Sequence, residues 1–247
     1  MKIIKKITLF LLVLTCLAAS FLSCTNAKDP DAPKGYYEIT KLYKKSAENP
    51  NGTQLRPTDF HFFVPDGWTV DMNGACVSAM APGDGATMAA GTMAIPVSVS
   101  DLYLKGKGES EAAPSIVDVF WSSYYKDELG RAFGTDVNGD GEVTGAFTFI
   151  SAEDVTVTAE KRPAKKIIYE VTFTTGSVVN IYKSELYIFW KGTGGEAINL
   201  HFMQLFSKQS NFDTHSKAFK ITKDAFAFVN ETPEESSTDT TSAETTD

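Results

Sequence analysis

Alternation of apolar and polar positions predicts an antiparallel sheet in the second half of the chain. In the run 165–174, Ile167, Tyr169, Val171 and Phe173 alternate with the period of a β-strand, and two further apolar runs follow at 178–190 and 198–206. Short glycine-containing turns separate the three runs. Because tight turns join antiparallel neighbours, the pattern predicts a meander of three long strands.

Shorter apolar runs bounded by Gly, Pro, Asn and Asp predict further strands in the rest of the chain. The predicted segments are 36–43, 60–64, 68–72, 75–81, 87–97, 145–150 and 155–158.

Apolar residues at helical spacing predict two helices, 115–133 and 210–226. Ser115 is a good N-cap, and Asp118 occupies the position that a capping box uses. The apolar residues of the first helix form one broad face that we expect to pack on the sheet. Tyr125 and Lys126 are expected to face outward. Together with the strands, these helices predict one α+β domain over residues 35–230.

The first 23 residues have the features of a secretory signal peptide. Lysines precede an apolar run, 7–19, which is shorter than the roughly 20 residues that a membrane span needs. Ser23 and Cys24 resemble the end of a bacterial lipobox, in which the cysteine is lipidated. We therefore expect Cys24 to carry the lipid, residues 24–34 to form a tether, and the domain to lie on the extracytoplasmic side of a cell membrane. The alternative is an ordinary signal peptide cut near Ala19 or Ser23.

Composition limits the partners. The formal net charge is −8, and a chain this acidic repels phosphate backbones, so nucleic acid is not an expected partner. Residues 231–247 contain no aromatic residue and no aliphatic residue larger than alanine, which predicts a disordered acidic tail rich in Ser and Thr. Cys76 lies in an apolar strand pattern and is expected to be a small core residue.

The order of elements resembles that of a known group of proteins. A PDGW-type start within Phe62–Trp68 is followed by a central helix, a three-strand meander and a last helix that ends in Ala-Phe-Ala-Phe. In this arrangement residues 36–229 resemble the PsbP-like superfamily. The resemblance implies an α-β-α sandwich, in which helices flank both faces of the antiparallel sheet, and a role in binding or assembly rather than chemistry. The acidic tail and the loop 101–114 depart from the compact family pattern.

One short stretch matches the front of a calcium-binding loop. Asp136, Asn138 and Asp140 provide oxygen ligands at positions 1, 3 and 5, a glycine follows at position 6, and Glu142 provides a backbone carbonyl at position 7. Position 12 is Phe147 rather than a bidentate carboxylate. Glu142, Glu153 and Asp154 are the candidates to replace that ligand. The alternative is a glycine-rich connection that only turns the chain, with no cofactor.

Other candidate chemistry is sparse. Exposed aromatic residues that could bind carbohydrate or peptide are Tyr103, Tyr125 and Trp190, although Trp190 also fits the edge of a core. The three histidines fall on different predicted elements, and no G-x-S-x-G sequence occurs. We therefore expect a non-catalytic lipoprotein that binds a protein partner, with calcium, small-ligand or carbohydrate binding as the alternative.

Overall fold

The computed structural model describes residues 32–40, 60–71, 76–93, 95, 98–101, 116–133, 143–158, 161–190 and 200–229. The predicted leader 1–23, Cys24, most of the tether and the tail 231–247 lie outside these ranges.

A single large antiparallel sheet organises the described residues. Its strands, in spatial order, are β4 (Thr69–Val70), β5 (Val77–Met80), β6 (Thr87–Met93), β10 (Leu200–Lys208), β9 (Val178–Trp190), β8 (Arg162–Thr175) and β7 (Val143–Val157). Neighbouring strands pair antiparallel throughout. The predicted meander is confirmed as β8, β9 and β10, and the prediction of an α+β fold with an antiparallel sheet is confirmed with it.

Two small sheets accompany the large one. β1 (Tyr36–Glu38) pairs with β3 (Phe63–Pro65), and β2 (Phe60–His61) pairs with β11 (Ala227–Phe228). The prediction of one strand over 60–64 is therefore wrong, because buried Phe62 separates two strands that belong to different sheets. Strands predicted at 36–43, 68–72 and 87–97 are also shorter than expected.

The edge strand β7 corrects another prediction. Two short strands were expected at 145–150 and 155–158, but Val143–Val157 is one continuous strand. A β-bulge at Ile150 shifts the register with β8 between Phe149 and Ser151. The bulge changes which positions face each side of the sheet, so the strand does not keep one alternating pattern along its length.

The first predicted helix is confirmed, with an internal irregularity. It consists of α1 (Ile116–Phe120), a π-helical turn (Trp121–Tyr125) and α2 (Lys126–Phe133). The second is a 3₁₀ turn (Gln209–Asn211) followed by α3 (Phe212–Asp224), and residues 98–101 are also helical.

One outward position in the first helix was predicted wrongly. Tyr125 is half-buried, and its ring stacks on Phe120 with 5.2 Å between centroids. Burial raises the pKa of the Tyr125 hydroxyl. Lys126 is exposed, as expected, and its Nζ lies 4.4 Å from the centre of the Phe149 ring.

The sheet contributes to two hydrophobic cores. Tyr187 and Phe189 of β9 pack in the first core with residues of α3. Leu186 and Ile188 of the same strand pack in the second core with residues of α1 and α2. Because successive side chains of a strand point to opposite faces, the two cores use alternate positions of the same strands.

Candidate partner-binding surface

The turn end of the β8–β9 hairpin carries exposed apolar side chains. Val178 and Val179 are 57% and 58% exposed, and Ile181 is 39% exposed. The segment 171–182 around them contains no Asp, Glu, Lys or Arg. Exposed apolar groups without neighbouring charge along the chain are typical of the centre of a protein interface rather than of an ordinary surface.

Register places Val179 and Ile181 on one face with small neighbours. Val179 lies opposite Thr174, and Ile181 lies opposite Thr172. The next strand, β7, continues this face with Thr144, Ala146 and Thr148, all of which are exposed. We call this set of seven residues the hairpin surface: Thr144, Ala146, Thr148, Thr172, Thr174, Val179 and Ile181.

The start of helix α3 explains why these residues are uncovered. Lys183 points to the same side of β9, and its Nζ lies 4.8 Å from the ring centre of Phe212, the first residue of α3. Residues of α3 pack over the buried part of β9, at Tyr187 and Phe189. Val179 and Ile181 lie beyond the beginning of the helix, toward the hairpin turn.

The opposite face of the hairpin carries a row of aromatic rings. Tyr182 stacks on Phe206 with 5.1 Å between centroids and 4° between planes. Phe173 meets Tyr182 edge to face at 5.7 Å. All three rings are half-buried, so part of each remains accessible to a ligand or partner. Sequence reasoning placed these residues in strands and did not single them out as a surface.

A buried lysine connects helix α1 to the edge of the sheet. Lys165 of β8 is buried, and its Nζ pairs with Asp118 of α1 and Asp154 of β7. Burial alone would lower the Lys165 pKa, but hydrogen bonds and the charges of the two carboxylates outweigh it and raise the pKa. A nucleophilic lysine needs a lowered pKa, so this geometry stabilises contacts between elements and does not activate an amine.

Two further polar clusters attach α3 to the sheet. His215 Nε2 lies 2.6 Å from Asp84 Oδ2, and Asn211 Nδ2 donates to the same oxygen at 2.8 Å. On the sheet itself, buried Glu185 accepts hydrogen bonds from the Tyr187 hydroxyl at 2.6 Å and from Ser216 Oγ at 2.9 Å. These clusters fix α3 in place and thereby fix where the hairpin surface begins.

The predicted calcium ligands lie outside the described residues. They are Asp136, Asn138, Asp140 and Glu142, and the calcium site stays a prediction. Of the substitute ligands, Glu153 is exposed, and Asp154 pairs with Lys165. Within the part of the chain that the structure describes, no group of three His, Cys, Asp or Glu side chains could hold a metal ion.

The three histidines have separate surroundings. His61 Nδ1 lies 2.8 Å from Glu38 Oε1, and His215 pairs with Asp84 as described above. His201 is buried, and its ring lies 4.9 Å from that of Phe228.

The predicted aromatic ligand residues are not brought together as an exposed set. Tyr103 lies outside the described residues, and Tyr125 is half-buried against Phe120. Trp190 is half-buried against the second core, as the alternative interpretation expected. Cys76 is half-buried beside the same core. Ligand binding by these aromatic residues stays a prediction.

Comparison with known proteins gives structural neighbours only. No family model matches the chain, and no curated protein matches it. The solution structure of cyanobacterial PsbP from Synechocystis is similar with a TM-score of 0.44 and 12% identity, covering 83% of this chain and 98% of that one. A protein of unknown function from Pseudomonas aeruginosa is similar with a TM-score of 0.33 and 12% identity, covering 67% and 88%. Both TM-scores are below 0.5, so the description of this fold rests on its own strands and helices.

No helix among the described residues has the length and apolar character needed to cross a membrane.

Proposed function

We propose that this protein is a lipid-anchored, extracytoplasmic binding or assembly module that contacts its protein partner through the hairpin surface. The observation that supports the proposal most is the exposure of Val179 and Ile181 on a face whose strands carry no charge from 171 to 182. Because charged residues are depleted at the centres of interfaces, such a face is better suited to a protein than to a free ion.

The proposed arrangement of layers is an α-β-α sandwich of the PsbP-like kind. Two hydrophobic cores support this arrangement. Helix α3 shares the first core with the sheet, and α1 and α2 share the second core with it. In such a sandwich the buried part of the sheet is rigid, and the hairpin turn extends beyond the helices. A rigid, preformed surface limits the entropy that partner binding costs.

The proposed anchor is a lipid on Cys24, and it rests on the sequence alone. A tether of about ten residues would let the domain reach a partner close to the membrane. The proposal includes no catalytic step. The described polar clusters around Lys165, Asp84 and Glu185 each connect secondary-structure elements, which gives each cluster a structural role.

The proposal is tested by affinity recovery from cells after mild crosslinking. The tagged full chain is compared with Ile181→Lys and with the matched control Ile221→Lys, since the two isoleucines are 39% and 43% exposed on different elements. We expect one partner to be recovered with the parent and the control, and to be lost with Ile181→Lys. Equal recovery with both variants would contradict a role for the hairpin surface.

A second arm of the experiment tests the anchor. Cys24→Ala should release the protein from the membrane fraction and reduce partner recovery. Retention in the membrane would contradict lipidation at Cys24 without affecting the conclusion about the hairpin surface.

A further inference from the structure

Strand β7 lies at one end of the large sheet formed by the described residues. β7 ends the large sheet and pairs with β8 on one side, and among the described residues no strand pairs with its other side. An edge strand presents a row of backbone N–H and C=O groups that can pair with another strand.

Residues 143–149 of β7, before the bulge at Ile150, lack the usual features that prevent such pairing. Natural edges are commonly short, or carry lysine or proline. The opposite edge, β4, is short, with only Thr69 and Val70. By contrast β7 runs from Val143 to Val157 with no lysine or proline, and its first part, 143–152, has no charged residue at all.

The regular part of β7 is complementary to itself in the antiparallel direction. The ladder with β8 is regular from 143 to 149, and the bulge at Ile150 ends it. If two copies pair about a twofold axis at Ala146, Thr144 of one copy lies opposite Thr148 of the other. In the same register Gly145 lies opposite Phe147.

These pairs are favourable ones. Threonine pairs across strands are stabilising, and an aromatic side chain opposite an edge glycine covers backbone that the glycine leaves bare. The residue on the axis, Ala146, is small and exposed, so two copies can approach closely there. Thr144, Ala146 and Thr148 also belong to the hairpin surface, so pairing would extend that surface continuously from one copy to the other.

We propose that β7 is a self-association site, at which a second copy of this chain pairs antiparallel with residues 143–149 about a twofold axis at Ala146. The occupant is a second copy rather than an unrelated strand because the complementary register lies within β7 itself. The pairing uses the backbone edge of β7, whereas the test of partner binding uses Ile181, two strands away on β9.

The first test uses charge at the axis. The full chain is expressed with two different epitope tags, and recovery of one tag with the other is measured. We expect the parent chains to be recovered together, Ala146→Lys to abolish recovery, and a mixture of Ala146→Lys with Ala146→Glu to restore it, because opposite charges then meet across the axis. The control is Thr156→Lys, an exposed position of the same strand beyond the bulge, which should behave as the parent.

The second test measures direct contact. Residues paired across antiparallel strands have Cα atoms about 4.5 or 5.5 Å apart, which a disulfide can bridge. Ala146→Cys should therefore form a covalent dimer on mild oxidation, whereas Thr156→Cys and the parent chain should not.

The proposal is overturned if the parent chains are not recovered together, if Ala146→Lys has no effect, or if the two cysteine variants crosslink equally. Ile181→Lys separates this proposal from the proposed function. It should leave self-association intact even if it abolishes partner recovery.

Discussion

Removing the two acidic partners of Lys165 tests how helix α1 is attached to the sheet. The Lys165 side chain is 11% exposed, whereas those of Asp118 and Asp154 are 37% and 81% exposed. Each aspartate alone is thus replaceable, because the other still neutralises the ammonium group. We expect Asp118→Ala and Asp154→Ala each to lower the free energy of unfolding by less than about 1 kcal/mol, as for an exposed ion pair.

The double variant should behave differently. With both carboxylates removed, a nearly buried ammonium group has no anion beside it, and such a loss costs about 3 kcal/mol or somewhat more. The cost of the double variant therefore exceeds the sum of the single costs by about 1 kcal/mol or more, which a double-mutant cycle detects. Lys165→Met removes the charge and keeps the apolar stem, so it should cost about 1 kcal/mol or less.

The assay is urea unfolding at neutral pH, followed by far-ultraviolet circular dichroism. Because the carboxylates raise the Lys165 pKa above its usual 10.5, their contribution to stability is complete below pH 10.5. It should disappear as the pH rises through the raised value. Additive single and double effects, or a Lys165→Met variant as unstable as the double variant, would refute this reasoning.

Three further predictions concern other parts of the chain. Gly91→Ala should lower the free energy of unfolding in urea by about 1 kcal/mol, because the added Cβ would lie 3.0 Å from the buried ring of Phe202. An unchanged urea concentration at the unfolding midpoint would contradict this and show that the ring can move. The Asp84 pKa is lowered because its hydrogen bonds and the charge of His215 outweigh burial, which acts to raise it. The stability that Asp84 contributes is therefore present above pH 3.8 and lost as the pH falls through the lowered pKa. Asp84→Asn should thus approach the parent in stability only in acid. A difference in unfolding free energy between the two proteins that stays constant from neutral pH to acid would contradict this. If the loop 136–142 binds calcium, replacing both of its aspartates by alanine should abolish a calcium-induced rise in Tm, and an unchanged rise would exclude this site.

Sequence reasoning located the long central strands well because one signal dominates there. β9 has the predicted bounds, Val178 and Trp190, since its apolar run is long and the glycines Gly176 and Gly192 flank it in the sequence. β7 was divided in two because the bulge at Ile150 reverses the alternation partway along the strand. A bulge is set by the partner strand, and a single sequence gives little sign of it.

The π-helical turn and the hairpin surface were also missed, for different reasons. The turn at Trp121–Tyr125 changes the helical period over a few residues, which turned Tyr125 toward Phe120 rather than outward. The hairpin surface could have been recognised in the sequence. Val178, Val179 and Ile181 put apolar side chains on both faces of a strand within a segment that carries no charge, whereas a fully solvated hairpin end would alternate with charged residues.

The central claim, that the hairpin surface binds a protein partner, is tested most directly by site-specific photo-crosslinking in cells. A photoreactive amino acid is placed at position 181 and, as the control, at position 221, in the full chain. We predict one discrete crosslinked species from position 181 that position 221 does not give. Identical crosslinking patterns from the two positions, or no crosslinked protein from position 181, would contradict the account.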